Sequence, residues 1–585
     1  NITSLDLQNL NNIKSLTCNG MNLSNLEIQN KTNLEYLNCS YNQITYLELI
    51  NLPSLLNLDC QNNLLTTLNA NDLINVNSIY CYNNLLTSIF IKNGKNEFLY
   101  YQDNPNLQYI CADENQISTI QNSLTTYGYV NCNVGSYCSF TPGGTFYTIL
   151  GSNKFDSNNN GCDSNDIIYP NFKCSISNGT NTGVFIANNF GSYNIPIQAG
   201  IHTVTPIIEN PTYFSLLPNS FNVSFPTVTS PYNLDFCISA NGNHNDLEVV
   251  LLPINQARPG FDAYYKLIFK NKGTTTQSGS VNFTFDDIIL DIVSSNPNIS
   301  SQSTGNMTWN FANLLPFESR EINFVLNLNS PTETPSLNSG DLINFTASVN
   351  GQTDETPNDN TVILNQIVVN SYDPNDKTCL EGTTITPSMV GEYIHYLIRF
   401  ENNGTSNAQN IVVKDIIDTN KFDINTLIPI KGSHNFETRI SNTNKVEFIF
   451  QNINLPFDDA NNDGYISFKI KTKSNLVVGN TFSNSANIYF DYNFPIVTNN
   501  YTTTIQNTLG LQENYFINDI VAYPNPVKDF LNFKTEHNIL KVEVYDIAGR
   551  ILSSNSISEN KIDLSELKTG NYILKLYTEK GIMNT

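Results

Sequence analysis

Three segments near the N-terminus place apolar and polar residues in one shared frame. They are Leu34-Glu-Tyr-Leu37-Asn-Cys39-Ser-Tyr-Asn42, Leu55-Leu-Asn-Leu58-Asp-Cys60-Gln-Asn-Asn63 and Val76-Asn-Ser-Ile79-Tyr-Cys81-Tyr-Asn-Asn84. Cys18 opens the series, and each thiol lies 21 residues from the next. A period of this length predicts stacked rungs that bury Leu, Ile and Cys against their neighbours. The Asn after each strand is expected to turn its amide onto backbone groups, forming a ladder. Residues between the buried ones should line the exposed sheet face: Ser15, Thr17, Asn19, Tyr36, Asn38, Ser40, Asn57, Asp59, Gln61, Ser78, Tyr80 and Tyr82. The repeat fades after residue 96, Leu107 to Cys111 begins a last rung, and residues 114–127 predict a short closing helix.

Beyond that point the apolar period falls to two, as in half-buried strands. Strands are expected at 146–150, 183–187, 193–196 and 203–206. Tyr265-Lys-Leu-Ile-Phe-Lys-Asn-Lys-Gly273 and Tyr396-Leu-Ile-Arg-Phe-Glu-Asn-Asn-Gly404 echo each other at an offset of 131 residues. Phe345-Thr-Ala347-Ser-Val349 and Ser485-Ala486-Asn-Ile488 echo again. The middle of the chain therefore reads as a duplicated β-sandwich. Leu531-Asn-Phe533-Lys and Val542-Glu-Val544-Tyr alternate in the tail as a further small sandwich.

The N-terminal frame resembles the leucine-rich repeat, L-x-x-L-x-L/C-x-x-N. The next segment resembles the prealbumin-like repeats of bacterial adhesins, and the duplicated pair resembles immunoglobulin-like sandwiches. The second copy is similar to a domain of unknown function found in secreted leucine-rich-repeat proteins of Flavobacterium-like genera. The expected fold class is multidomain and mainly β, with a leucine-rich-repeat solenoid followed by several sandwiches. The boundaries are 1–139 for the solenoid and its cap, 140–240 for the prealbumin-like sandwich, and 241–370 and 371–508 for the Ig-like pair. A linker at 509–520 leads to a tail at 521–585.

In that tail, Pro524, Asn525, Pro526, Asp546, Gly549, Arg550, Gly570 and Tyr572 fall in three ordered motifs. Their order resembles the type A C-terminal sorting domain of type IX secretion cargo from Bacteroidota-type bacteria. The resemblance implies export through the type IX machinery as a partner. It implies a secreted or extracellular protein, with attachment to the outer-membrane surface as one outcome. It further implies a signal peptide that has been removed or left out, and a short basic end beyond residue 585.

Composition narrows the partners. A net charge of −23 argues against nucleic acid and anionic membrane surfaces. No apolar run reaches the ~20 residues of a membrane helix. The Cys ladder is expected to serve as small buried hydrophobes, because stacked side chains point alike and cannot bridge. A cap disulfide among Cys111, Cys132 and Cys138 suits an oxidising compartment.

One segment carries metal-type spacing. Asp156, Asn158 and Asn160 take loop positions 1, 3 and 5, Gly161 takes 6, and the Cys162 carbonyl takes 7. Ile167 replaces the usual Glu at position 12, so Asp163 or Asp166 would have to close the site around Ca²⁺. Asp459-Ala-Asn-Asn-Asp463-Gly464 matches the same expression, but the alternation after it favours a hairpin turn. Acidic joints at 354–360 and 373–376 read as solvated linkers or capped strand ends rather than cation sites.

No catalytic signature occurs, and the five His are scattered across the modules. Asp286-Asp287 and Asp415/Asp418 follow strands and read as turns rather than as paired catalytic carboxylates. The expectation is a non-enzymatic, adhesin-like binding protein. Its solenoid face (Tyr36, Asn38, Ser40, Asn57, Asp59, Gln61, Ser78, Tyr80, Tyr82) would recognise an extracellular protein or glycan, and its sandwiches would act as a stalk. A non-binding matrix component and a carbohydrate-active enzyme are the alternatives.

Overall fold

The 21-residue repeat builds very short parallel strands. Ser15–Thr17, Tyr36–Asn38, Asn57–Asp59, Ser78–Tyr80 and Phe98–Tyr100 pair in register, with Leu16, Leu37, Leu58, Ile79 and Leu99 in one column. This computed structural model describes residues 5–370, 374–507, 521–535, 539–546, 550–557, 560–568, 570–578 and 581–584. They form two compact units, 1–506 and 507–585.

The leucine-rich-repeat expectation is corrected here. The return limbs of the later rungs are themselves strands: Thr67–Asn69, Ser88–Ile91, Tyr109–Ala112 and Asn133–Gly135 form a second parallel sheet. The rungs stack as a β-solenoid, and among the described residues Ile117–Tyr127 is the one α-helix. The reason is local. Each return limb has few residues, and Leu68 with Ala70, then Ile89 with Ile91, bury alternate side chains at the period of an extended limb. Left-handed residues turn the corners, Tyr41, Asn62 and Asn83 on one side and Asn30 and Asn51 on the other.

The Asn ladder supplies the polar bonding between rungs. Asn42 Nδ2 donates to the carbonyls of Cys18, Cys39 and Ser40 at 2.9, 3.0 and 3.2 Å, and its Oδ1 accepts from the Leu23 N–H at 2.9 Å. Asn63, Asn84 and Asn104 repeat the arrangement. Asn104 lies beyond the point where the sequence repeat fades. There Tyr101 replaces the thiol, buried and hydrogen-bonded to Ser123 at 2.7 Å. Cys18, Cys39, Cys60 and Cys81 are free and buried, and burial pushes the Cys18 thiol up to about 11. In the cap, Cys111 pairs with Cys138, while Cys132 stays free.

The two later sandwiches share the strand order of their two main sheets, and the second adds a small sheet of Thr384–Ile385, Tyr501–Ile505 and Thr481–Asn484. One sheet of the first runs Leu247–Pro253, Asp262–Asn271, Ser319–Leu328, Leu290–Asn296, and its counterpart runs Lys377–Cys379, Tyr393–Glu401, Asp463–Thr472, Phe422–Gly432. The facing sheets run Ser301–Ser303, Asn306–Leu314, Gln277–Thr284, Leu342–Asn350, Thr361–Ile367 and Glu437–Ser441, Lys445–Phe450, Ile411–Ile416, Ala486–Phe490, Ile496–Val497. The echoed Asn-x-Gly explains itself. Asn271 Nδ2 donates to the Thr275 and Leu314 carbonyls at 2.7 and 3.0 Å, and its Oδ1 accepts from Gly273 at 3.0 Å. Asn402 does the same to Ser406, Leu455 and Gly404 at 2.9, 3.0 and 3.0 Å.

Modules distant in sequence are joined. Thr182–Ile186 pairs antiparallel with Glu437–Ser441, so one nine-stranded sheet runs from residues 173–225 into the second sandwich. Lys469 is buried between Glu209 and Glu248, 2.6 Å from each. The solenoid cap rests on the second sandwich. Tyr109 stacks on Tyr492 at 4.7 Å, Tyr137 donates to Glu447 at 2.6 Å, and Arg439 donates to the Phe140 carbonyl at 2.7 Å. Residues 1–506 thus form a block in which first and last modules touch, rather than modules in a row.

In the second unit, Val521–Tyr523, Phe530–Lys534 and Lys561–Asp563 form one sheet. Ile551–Ser556, Ile539–Asp546, Tyr572–Thr578 and Gly581–Asn584 form another. Leu531, Phe533, Val542, Val544, Ile562 and Leu576 fill the space between them.

Candidate functional site

The in-register rungs set equivalent side chains in columns along the exposed face. Asp59, Tyr80 and Tyr100 share one column. The rings of Tyr80 and Tyr100 stack, with centroids 4.6 Å apart and planes within 1°. The other face of Tyr80 looks along the column toward the shorter Asp59. A shallow groove of about 650 Å³ results, lined by Tyr36, Asn57, Asp59, Gln61, Ser78, Tyr80 and Tyr82 with Leu58, Tyr100, Gln102 and Asp103. Asn38 and Ser40 lie outside this lining, where Asn38 Oδ1 accepts from the Ser40 hydroxyl at 2.7 Å. Tyr100, Gln102 and Asp103 escaped the sequence reading because their rung lacks the thiol that marks the others.

The groove's charge is one-sided, with two carboxylates and no Lys, Arg or His in its lining. Burial raises the Asp59 carboxyl above its ordinary range, while hydrogen bonds from Gln61 pull against the shift. Such a surface offers ring faces, hydroxyls and acceptors, and repels polyanions.

The Asp156 loop closes on itself. Asp156 accepts from the Asn160 and Gly161 N–H groups at 3.1 and 2.9 Å, and Asp166 accepts from the Asp163 N–H at 2.7 Å. Asn158 Oδ1 also accepts from Asn160, at 3.1 Å. Lys154 Nζ donates to the Asp163 carbonyl, placing a cation at the loop. Cys162 is cross-linked to Cys237, a pairing with no signal in the sequence. Among the described residues no group of three or more His, Cys, Asp or Glu gathers as a metal-holding set.

The 459–464 segment is not a hairpin. A turn at 458–461 carries the chain from one sheet of the second sandwich to the other. At the acidic joints, Asp354 accepts from the Leu247 N–H at 2.7 Å as a strand-end cap, and Asp359 pairs with Lys272. Asp373 lies outside the described residues. Asp415 is no turn residue, since it sits within Ile411–Ile416 and is fully buried.

Among the tail motifs, Pro524, Asn525 and Pro526 follow the strand Val521–Tyr523, Asp546 ends the strand Ile539–Asp546, and Arg550 precedes Ile551–Ser556. Gly570 leads into the strand Tyr572–Thr578, and Tyr572 donates to the Lys568 carbonyl at 2.5 Å. Gly549 lies outside the described residues.

Comparison with known proteins bears mainly on the C-terminal half. Residues 373–504 match a domain of unknown function (DUF7619). Residues 521–585 match the secretion system C-terminal sorting domain. No curated protein matches the chain. Among solved structures, BcpA, the major pilin subunit of Bacillus cereus, is 11% identical, covering 72% of this chain and 95% of its own, with a TM-score of 0.18. The collagen adhesin of S. aureus is 15% identical over 45% of this chain and 93% of its own, at 0.16. The C-terminal domain of the Streptococcus pyogenes antigen I/II-family protein AspA is 13% identical over 45% of this chain and all (100%) of its own, at 0.16. Scores this low carry no argument about fold or function. No helix among the described residues is long and apolar enough to cross a membrane. The sorting domain at 521–585 is an export address read by secretion machinery, and a chain that bears it is a secreted protein.

Proposed function

We propose that this secreted chain is a non-enzymatic, adhesin-like binding protein whose solenoid groove takes a neutral or positively charged extracellular sugar or peptide. The observation that carries the reading is the Tyr80–Tyr100 stack beside Asp59, in a groove without a cation. Tyrosines held in a ladder lose little freedom on binding, and their hydroxyls and faces serve sugars and peptide side chains alike. The sandwiches hold the solenoid as one block, through Tyr492 and Glu447, and after export the sorting domain leaves the chain released or attached at the outer-membrane surface. The test is an array of neutral, cationic and anionic glycans and peptides probed with the full chain. Saturable binding to neutral or cationic members is expected, weakened about tenfold or more by Tyr80→Ala or Tyr36→Ala. Binding confined to polyanions, or none, overturns the reading.

Calcium at the Asp156 loop is a separate proposal. Binding would require Asp156 and Asp166 to turn from the backbone N–H groups they now accept toward the ion, beside Asn158 and Asn160. Calorimetric titration of the full chain, with Asp156→Ala as control, should show a saturable heat and a raised melting temperature. An unchanged melting curve rejects it.

A further inference from the structure

The two sandwiches fill equivalent core positions with different chemistry. Leu251 and Lys377 are equivalent, since they pair with Leu267 and Ile398, which stand at the duplication offset. Phe283 and Asp415 are equivalent through their partners Ala347 and Ala486. Two residues before those alanines stand Phe345 and Asn484. In the first sandwich the trio is apolar and buried. In the second, Lys377 and Asp415 are both 0% exposed and Asn484 is 6% exposed.

The polar trio is tightly arranged. Lys377 Nζ meets Asp415 Oδ2 in a very short contact, and Asn484 Nδ2 points at the same oxygen from 3.4 Å. The amine lies over the rings of Tyr396 and Phe468, 4.6 and 5.4 Å from their centres. Asp415 Oδ1 is buried with no hydrogen-bond partner. A fold that works with Leu, Phe and Phe has no structural need for a buried amine, acid and amide, which are costly to desolvate. Burial lowers the Lys377 pKa from its ordinary value, against the pull of Asp415. A neutral amine is a nucleophile, and a dry site protects an amide from competing water.

We propose that Lys377 and Asn484 join through a side-chain amide, with Asp415 as the proton carrier. Neutral Nζ attacks Cγ of Asn484 while the protonated Asp415 carboxyl hydrogen-bonds the carboxamide. Asp415 moves a proton from Nζ to Nδ2, the Cγ–Nδ2 bond breaks, and ammonia leaves. One C–N bond forms and one breaks, nothing is oxidised or reduced, and Asp415 ends as it began. The leaving nitrogen already faces the acid that must protonate it. The link ties the strand Lys377–Cys379, at the start of the sandwich, to Thr481–Asn484 near its end, closing most of the module into a loop.

The test is the intact mass of the purified full chain. A mass one ammonia below the sequence value is expected, after allowance for disulfides. Proteolysis should yield a branched peptide joining the Lys377 and Asn484 segments. Asn484→Leu removes the acceptor but keeps the core filled. It should show the full mass, an unchanged circular dichroism spectrum and a melting temperature lower by roughly 10 °C, as expected for opening a long covalent loop. Asp415→Ala, where it folds, should also retain the full mass. A wild-type chain of full mass with separate peptides overturns the proposal. So does the loss of a water with a Lys377–Asp415 branch, which would place the bond elsewhere.

Discussion

The first and second sandwiches share a strand order and differ in what they bury. Tyr265 stacks on Phe324 at 5.5 Å, and at the equivalent positions Tyr396 stacks on Phe468 at 5.4 Å. Beside the first stack lie Leu251, Phe283 and Phe345, and beside the second lie Lys377, Asp415 and Asn484. Topology therefore rests on elements both copies keep, namely the aromatic stack, the alternation and the Asn-x-Gly turn. The trio at the centre is free to vary, provided a buried amine has an acid facing it.

The strongest way to break this comparison is to move one polar member alone. Leu251→Lys would bury an amine with no acid facing it, since its neighbour at the Asp415 position is Phe283. The expected loss is on the order of 5 kcal/mol at neutral pH. The sign with pH follows from the charged form being penalised in the folded state. A folded-state pKa below the unfolded ~10.4 makes the penalty shrink as pH rises toward 10 and grow as pH falls. Thermal denaturation of the variant at pH 7 and pH 10 checks it. A variant as stable as wild type at pH 7 would show that the first sandwich tolerates an unpaired amine, and that the acid in the second is not needed for burial.

The sequence shows what repeats locally and hides what pairs at a distance. The Cys18 to Cys81 columns are legible because every rung spends the same side chain on the same site. The second solenoid sheet is not, because Leu65 and Leu68 fit an extended limb as well as the edge of a helix. Tyr101 in place of a thiol conceals the rung that completes the groove. Cys162 bonds to Cys237, and Thr182–Ile186 pairs with Glu437–Ser441, through contacts that leave no trace in either segment alone. Asp415 reads as a turn residue in the sequence because it follows a strand-like run, as Asp286 and Asp287 do in the first copy. Its burial is visible only once Lys377 and Asn484, from two other strands, converge on it.

A gentler probe tests what the two copies keep in common. Asn271 and Asn402 each bond one carbonyl and one N–H of their own turn and one buried carbonyl of a distant segment, Leu314 or Leu455, at nearly equal distances. Replacing either by Ala leaves those groups unpaired at a cost of about 1–3 kcal/mol. Because the turns are alike, the two single losses should agree closely in denaturant unfolding. The double variant should lose their sum, since no hydrogen bond links the two turns and distant sites add. A much larger loss at Asn402 would mean that its turn also supports the junction with the solenoid, where Asn133 donates to the Tyr492 and Asn493 carbonyls at 3.0 and 3.1 Å. A negligible loss at both would move the weight of the shared topology from the Asn-x-Gly turn onto the aromatic stack alone.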